Sequence, residues 1–186
     1  YQYLTREDYL EDTSDITQTL IDSITFANQQ VIEHKKKHMP ESDMGTTLSC
    51  VHVGENEINY AWMGDSRIYL IDSLKNIISQ LSIDHTLYQE MVDRGEIGQS
   101  FKKNILSRML GNNAYSRPDG NRLPLAPGNL ILVCTDGYSD LISEEKTLDT
   151  IKASGNSLDE IANALIDLAK GEGGRDNITV SLALFE

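Results

Sequence analysis

Between residues 46 and 81 the chain breaks into short alternating runs separated by tight turns, and this stretch constrains the fold most. In 46–53, Leu48, Cys50 and His52 fall on one side and Ser49, Val51 and Val53 on the other. Gly54-Glu55-Asn56 is a turn, and residues 57–63 place Ile58, Tyr60 and Trp62 on one face. Gly64-Asp65-Ser66 turns the chain again into Arg67–Ile71, and a further strand follows near Ile77–Leu81. A period of two residues with glycine-bearing turns predicts a meander of antiparallel strands.

The flanks carry the helical period instead. Ile16, Leu20, Ile24, Ala27 and Val31 make one stripe over 14–38, with Thr13-Ser14-Asp15 as cap candidates and a basic end, His34-Lys35-Lys36-Lys37-His38, that suits the negative pole of a helix. Residues 86–94 read as a helix with a Thr86/Gln89 capping box and Gly95 at its stop. Residues 95–121 are less regular, with a short helix at 101–109, and Gly111–Gly128 reads as loop. Leu130 to Cys134 is continuously apolar, as a strand buried on both faces would be. Helices follow at 144–152, capped by Ser143, and at 158–170, with a Ser157/Glu160 box and a stripe of Ile161, Leu165 and Leu168. Residues 177–185 form a last strand with Ile178, Val180, Leu182 and Leu184 on one face. Hairpin strands with helices inserted in blocks predict an α+β fold.

At 186 residues, with no repeat or linker, this is one domain able to bury a sizeable core. Lys and Arg number 16 against 29 Asp and Glu, a net charge of −13. Such a surface disfavours nucleic acid and anionic membranes as partners, and no apolar run approaches the ~20 residues of a membrane span. Cys50 and Cys134 lie in apolar strands and read as small core residues of a reducing compartment. The N-terminus has neither a basic head nor an apolar core, so it is no signal peptide and a cytoplasmic location is expected. It lacks an initiator Met, so the chain is expected to be processed or cut from something longer. His34 and His38 have zinc-pair spacing but sit on a basic, solvated helix end, while His52, Tyr60 and Trp62 read as packed. No nucleophile elbow, P-loop, EF-hand loop or His-Glu-x-x-His motif occurs.

Three motifs place a carboxylate beside glycine at a strand end: Gly64-Asp65-Ser66-Arg67, Thr135-Asp136-Gly137 and Gly173-Gly174-Arg175-Asp176-Asn177. Asp136 is the most telling, because an acid at the edge of the core needs a cation or several donors. Singly, each motif also fits an Asx-turn or strand-end cap. Together they predict a cluster of hard oxygen ligands suited to Mg²⁺ or Mn²⁺.

The ordered set resembles a known family, the type 2C metal-dependent protein phosphatases in their bacterial form. Met44-Gly45-Thr46-Thr47-Leu48 is similar to that family's entry into a central strand, and Trp62 to Tyr69 carries its GDSR motif. Asp84-His85-Thr86-Leu87, through Val92 and Gly95 to Ile97, resembles its flap, Leu132 to Gly137 its TDG motif, and Gly174 to Val180 its GRDN signature. The resemblance implies a four-layer α-β-β-α sandwich of two antiparallel sheets flanked by helices. It implies hydrolysis of phosphoserine and phosphothreonine on proteins by water activated at paired Mn²⁺ or Mg²⁺ ions, without a phospho-enzyme. Asp136 and Asp176 would hold a metal of the pair and act catalytically as its ligands. Asp65 would join Asp136 at a third, weaker ion, and Asn177 would steady Asp176 from behind. Residues 84–110, with Asp84 and His85, would form a flap near the substrate.

The family's opening strand, with an Arg, an acidic residue and then Asp-Gly, has no match upstream of Gly45; Arg6-Glu7-Asp8 lacks both the strand and the Asp-Gly. The expectation is therefore a phosphatase-like domain without its N-terminal strands. Its metal binding would be weak, since affinity grows with ligand charge. Its open sheet edges would invite dimerisation or strand exchange. The chain alone would be weakly active or inactive. The other reading is a non-catalytic phosphatase-like module that binds a phosphoprotein or partner. A small-molecule phosphate hydrolase on the same scaffold is a third.

Overall fold

The computed structural model describes residues 15–96, 104–112, 116–155 and 157–186. Of the helix expected at 101–109, residues 101–103 lie outside the described residues and 104–109 are not helical; the Arg6-Glu7-Asp8 segment also lies outside the described residues. The chain divides into two compact units, one of residues 1–65 and 84–124, the other of 66–83 and 125–186.

The first unit is a helix on a three-stranded antiparallel sheet. Helix α1 (Ile16–His38) is capped by Asp15, whose carboxylate accepts the Gln18 N–H at 3.1 Å. Strands β1 (Leu48–Val53) and β2 (Glu57–Met63) form a hairpin with Leu48 opposite Met63. α1 packs Leu20 and Ile24 onto Ala61, Met63 and Leu110. The predicted stripe is therefore right in phase, with one addition. Asn28 is buried on the same face and accepts the Gly111 N–H at 2.8 Å, which removes the cost of burying its amide. Helix α2 (Leu87–Asp93) begins where predicted, with Thr86 accepting the Gln89 N–H. The box is only half made, because the Gln89 side chain turns to Asp93 instead.

The second unit stacks helices on a four-stranded antiparallel sheet. Its strands are β3 (Arg67–Asp72), β4 (Ile77–Gln80), β6 (Asn129–Cys134) and β7 (Val180–Leu184), in the order β4-β3-β6-β7. The short helix α3 (Asp136–Ser139) follows β6, and α4 (Glu144–Ala153) and α5 (Leu158–Gly171) cover the sheet. Tyr69, Ile71, Leu130, Leu132 and Cys134 meet Leu148, Ile151, Ile161 and Leu165 in one core. Each fully buried aliphatic side chain there contributes about 1.5–3 kcal/mol. Two antiparallel sheets with helices on them make the chain α+β, as expected.

Several local expectations are corrected. The stretch Gly111–Gly128 holds a strand, β5 (Asp119–Pro124), paired along β2 with Trp62 opposite Asp119. Asp-Gly-Asn-Arg-Leu-Pro has little strand propensity, and its conformation comes from pairing with β2. The segment 46–81 is not one meander: β2 and β3 belong to different sheets, and the turn at Gly64 carries the chain from one to the other. Among the described residues Ser157 makes no side-chain cap bond. β7 is shorter than predicted and Leu184 is exposed. His52 is also exposed rather than packed. Both cysteines are free, Cys134 buried and Cys50 partly so, with burial pushing the Cys50 thiol up to about 11. Among the described residues no helix is long and apolar enough to cross a membrane.

Candidate active site

The register of β6 and β7 brings two of the predicted acids together. Cys134 pairs with Val180 in an antiparallel ladder, so the residues leaving β6 meet those entering β7. Thr135 fastens this junction. Its N–H donates to the Thr179 carbonyl at 3.1 Å, its hydroxyl donates to the Asn177 carbonyl at 3.1 Å, and the same oxygen accepts the Thr179 N–H at 3.1 Å. Residues 42 and 44 positions apart thus become neighbours through backbone pairing and one hydroxyl.

Each carboxylate is then aimed by its own next residue. Asp136 Oδ1 accepts the Gly137 N–H at 2.8 Å, and Asp176 Oδ1 accepts the Asn177 N–H at 2.7 Å. Asn177 steadies Asp176 through its backbone. Asp136 is half-buried, and its carboxyl is raised above the ordinary value, first by burial and then by the charge of Asp176, against the pull of the Gly137 N–H. An acid whose ionisation is made costlier by burial and by a neighbouring carboxylate is short of a counter-cation, and the hard oxygens of the two side chains suit Mn²⁺ or Mg²⁺. The residues present therefore fit a divalent ion.

Asp65 sits half-buried in the first unit, at the turn after β2. Among the described residues no three or more His, Cys, Asp and Glu side chains gather closely enough to hold one ion, so the acid pairing that the structure provides is Asp136 with Asp176. His34 and His38 stand with ring centroids 4.7 Å apart on α1, without a further ligand among the described residues.

Asp84 is half-buried and His85 is 2% exposed. The stretch expected to form a flap is pinned on either side of its undescribed middle. Ser107 N–H donates to the His85 carbonyl at 2.8 Å, Leu87 N–H to Ile105 at 2.9 Å, and Leu110 bridges to Thr46. Residues 97–103 between them lie outside the described residues. His85 Nε2 lies 3.1 Å from Asp119 Oδ2, and Arg108 Nη2 donates to the same oxygen at 2.9 Å. The hydrogen bond from His85, and after it the Arg108 guanidinium, hold the Asp119 carboxyl well below the usual carboxylate range. Sequence reasoning passed over Asp119 and Arg108. The available signal was Asp119-Gly120, one more carboxylate beside glycine at a strand end. A hollow of about 670 Å³ lined by Ile16, Glu57, Asn59 and Arg122 contains none of the candidate acids.

Comparison with known proteins finds relatives by sequence and by fold. The chain is 35% identical over 164 residues to serine/threonine phosphatase stp of Listeria welshimeri, an alignment covering 86% of this chain and 64% of that protein. The chain thus spans a little under two thirds of that relative's length. Among solved structures, the Mycobacterium tuberculosis serine/threonine phosphatase PstP/Ppp superposes with a TM-score of 0.83 at 28% identity, over 96% of this chain and 77% of that one. The catalytic domain of PstP in complex with 2 manganese ions gives 0.78 at 28% identity, over 91% and 70%. Residues 3–169 match the model of the protein phosphatase 2C family. With that match, these relatives and the α+β architecture, the chain belongs to the protein phosphatase 2C family.

Proposed function

We propose that this chain carries part of the active centre of a protein phosphatase that removes phosphate from phosphoserine and phosphothreonine with Mn²⁺ or Mg²⁺. The carrying observation is the Asp136–Asp176 pair, two carboxylates of like charge brought together at one end of the β6–β7 ladder. Manganese in the PstP domain and the phosphatase names of the relatives support the same reading. When bound, a divalent ion lowers the pKa of water and neutralises charge on a phosphoryl group. In this chain Asp136 and Asp176 would hold such an ion, with Asp65 contributing to a further one. Gly137 N–H and Asn177 N–H fix the carboxylate rotamers, and Thr135 fixes the spacing of the loops that bear them. Net charge −13 favours cations over free phosphate near the surface, so the ion is what makes a phosphorylated protein acceptable as a substrate.

Two carboxylates are a sparse ligand set, and this supports a second reading in which the chain by itself is weakly active or acts as a binding module. A phosphothreonine peptide assayed with Mn²⁺ separates the two. Turnover abolished by Asp136→Ala supports catalysis. Saturable binding of the phosphopeptide without turnover supports the module.

A further inference from the structure

His85 is a buried titratable residue that takes no part in the Asp136–Asp176 pair. Its backbone N–H donates to the Gly64 carbonyl at 3.0 Å, and its Nδ1 accepts the Gly64 N–H at 3.1 Å. An amide N–H can only donate, so Nδ1 bears the lone pair and the proton sits on Nε2, which donates to Asp119. The ring stacks on Trp62 at 5.8 Å.

The two Gly64 bonds act on different peptide planes. The N–H lies in the plane shared with Met63 and the carbonyl in the plane shared with Asp65. Pinning both fixes the φ and ψ of Gly64, and with them the direction in which Asp65 leaves the strand. Gly64 has φ +120°, and a Cβ there would lie 2.3 Å from Thr47 Cγ2, so the turn needs glycine and gains no stiffness from a side chain of its own. The stiffness is supplied by residue 85.

We propose that His85 is the positioning residue of the Gly64–Asp65 turn, clamping both polar groups of Gly64 and thereby coupling the aim of the Asp65 carboxylate to the segment that begins at residue 84. The functional part rests on the reading of Asp65 as a cation ligand.

Two isosteres separate the roles of the ring. His85→Asn sets an amide oxygen where Nδ1 stands and keeps an acceptor for Gly64. His85→Gln reaches Asp119 with a donor and leaves the Gly64 N–H without its acceptor. In ¹⁵N-labelled chain, Gly64 amide exchange stays near wild type in His85→Asn and quickens by about tenfold or more in His85→Gln. Mn²⁺ titration followed by quenching of Trp62, the single tryptophan, shows the same order, with about tenfold weaker binding in His85→Gln. Equal behaviour of the two variants overturns the proposal. So does a wild-type ring protonated on Nδ1 by ¹⁵N NMR, a measurement that needs neither variant to fold. Quenching insensitive to Asp65→Ala, with Gly64 exchange as expected, keeps the clamp and removes the cation reading of Asp65.

Discussion

Gly137 lies so close to Asn177 that a Cβ at position 137 would stand 2.3 Å from the Asn177 carbonyl oxygen. The close approach of these two backbones sets the spacing of Asp136 and Asp176. Gly137→Ala forces the loops apart. A loss of about 1–3 kcal/mol in urea unfolding is expected, as for other overpacked sites. If Asp136 and Asp176 share one ion, as proposed, Mn²⁺ binding measured on the folded variant weakens with it.

Thr135 tests the same junction from the other side. Thr135→Val keeps the shape and leaves the Asn177 carbonyl and Thr179 N–H without the hydroxyl. A loss of about 1 kcal/mol is expected, since the groups are exposed enough to find water. Thr135→Ser restores the bonds and returns both the unfolding midpoint and Mn²⁺ affinity toward wild type. Chemical denaturation of the three proteins, with and without Mn²⁺, checks this.

Asp119 gives a pH signature. Its folded-state carboxyl lies well below the ordinary value of about 3.9, so its contribution is fully present above that value and disappears as pH falls through the lower, folded one. The stability gap between wild type and Asp119→Asn is therefore flat at neutral pH and narrows only in acid. The gap is expected to be about 1 kcal/mol, because the side chain is 47% exposed and solvent screens the pair. Urea titrations across the acid range read it directly.

Asp136 has the opposite sign. Burial and Asp176 raise its carboxyl, so without metal the folded chain loses stability as pH rises from the ordinary Asp value through the raised one. Asp136→Asn is expected to stabilise the metal-free chain at neutral pH and to weaken the stabilisation that Mn²⁺ confers. Thermal melts with EDTA and with Mn²⁺ test both halves.

The sequence displayed the acids more clearly than the frame that holds them. Asp65 and Asp136 stand next to a glycine and Asp176 two residues after one, all near strand ends, a pattern visible without coordinates. The helix stripe of Leu20 and Ile24 and the caps at Asp15, Thr86 and Ser143 follow from local spacing, and the structure keeps them. What was not legible depends on partners distant in sequence. β5 is a strand because β2 pairs with it, and the Gly64 turn changes sheets although it has the composition of a hairpin turn. His85 looks like an ordinary residue before a helix cap. Its importance comes from Gly64, 21 positions earlier, and Asp119, 34 positions later.

Calorimetric titration of the chain with Mn²⁺, comparing wild type, Asp136→Asn, Asp176→Asn and the double variant, addresses the shared ion most directly. If both acids hold it, each single change removes most of the binding and the double change removes little more, as expected for groups that act as a unit. Single variants that bind Mn²⁺ as the wild type does, or losses that simply add, would contradict a cation held between Asp136 and Asp176.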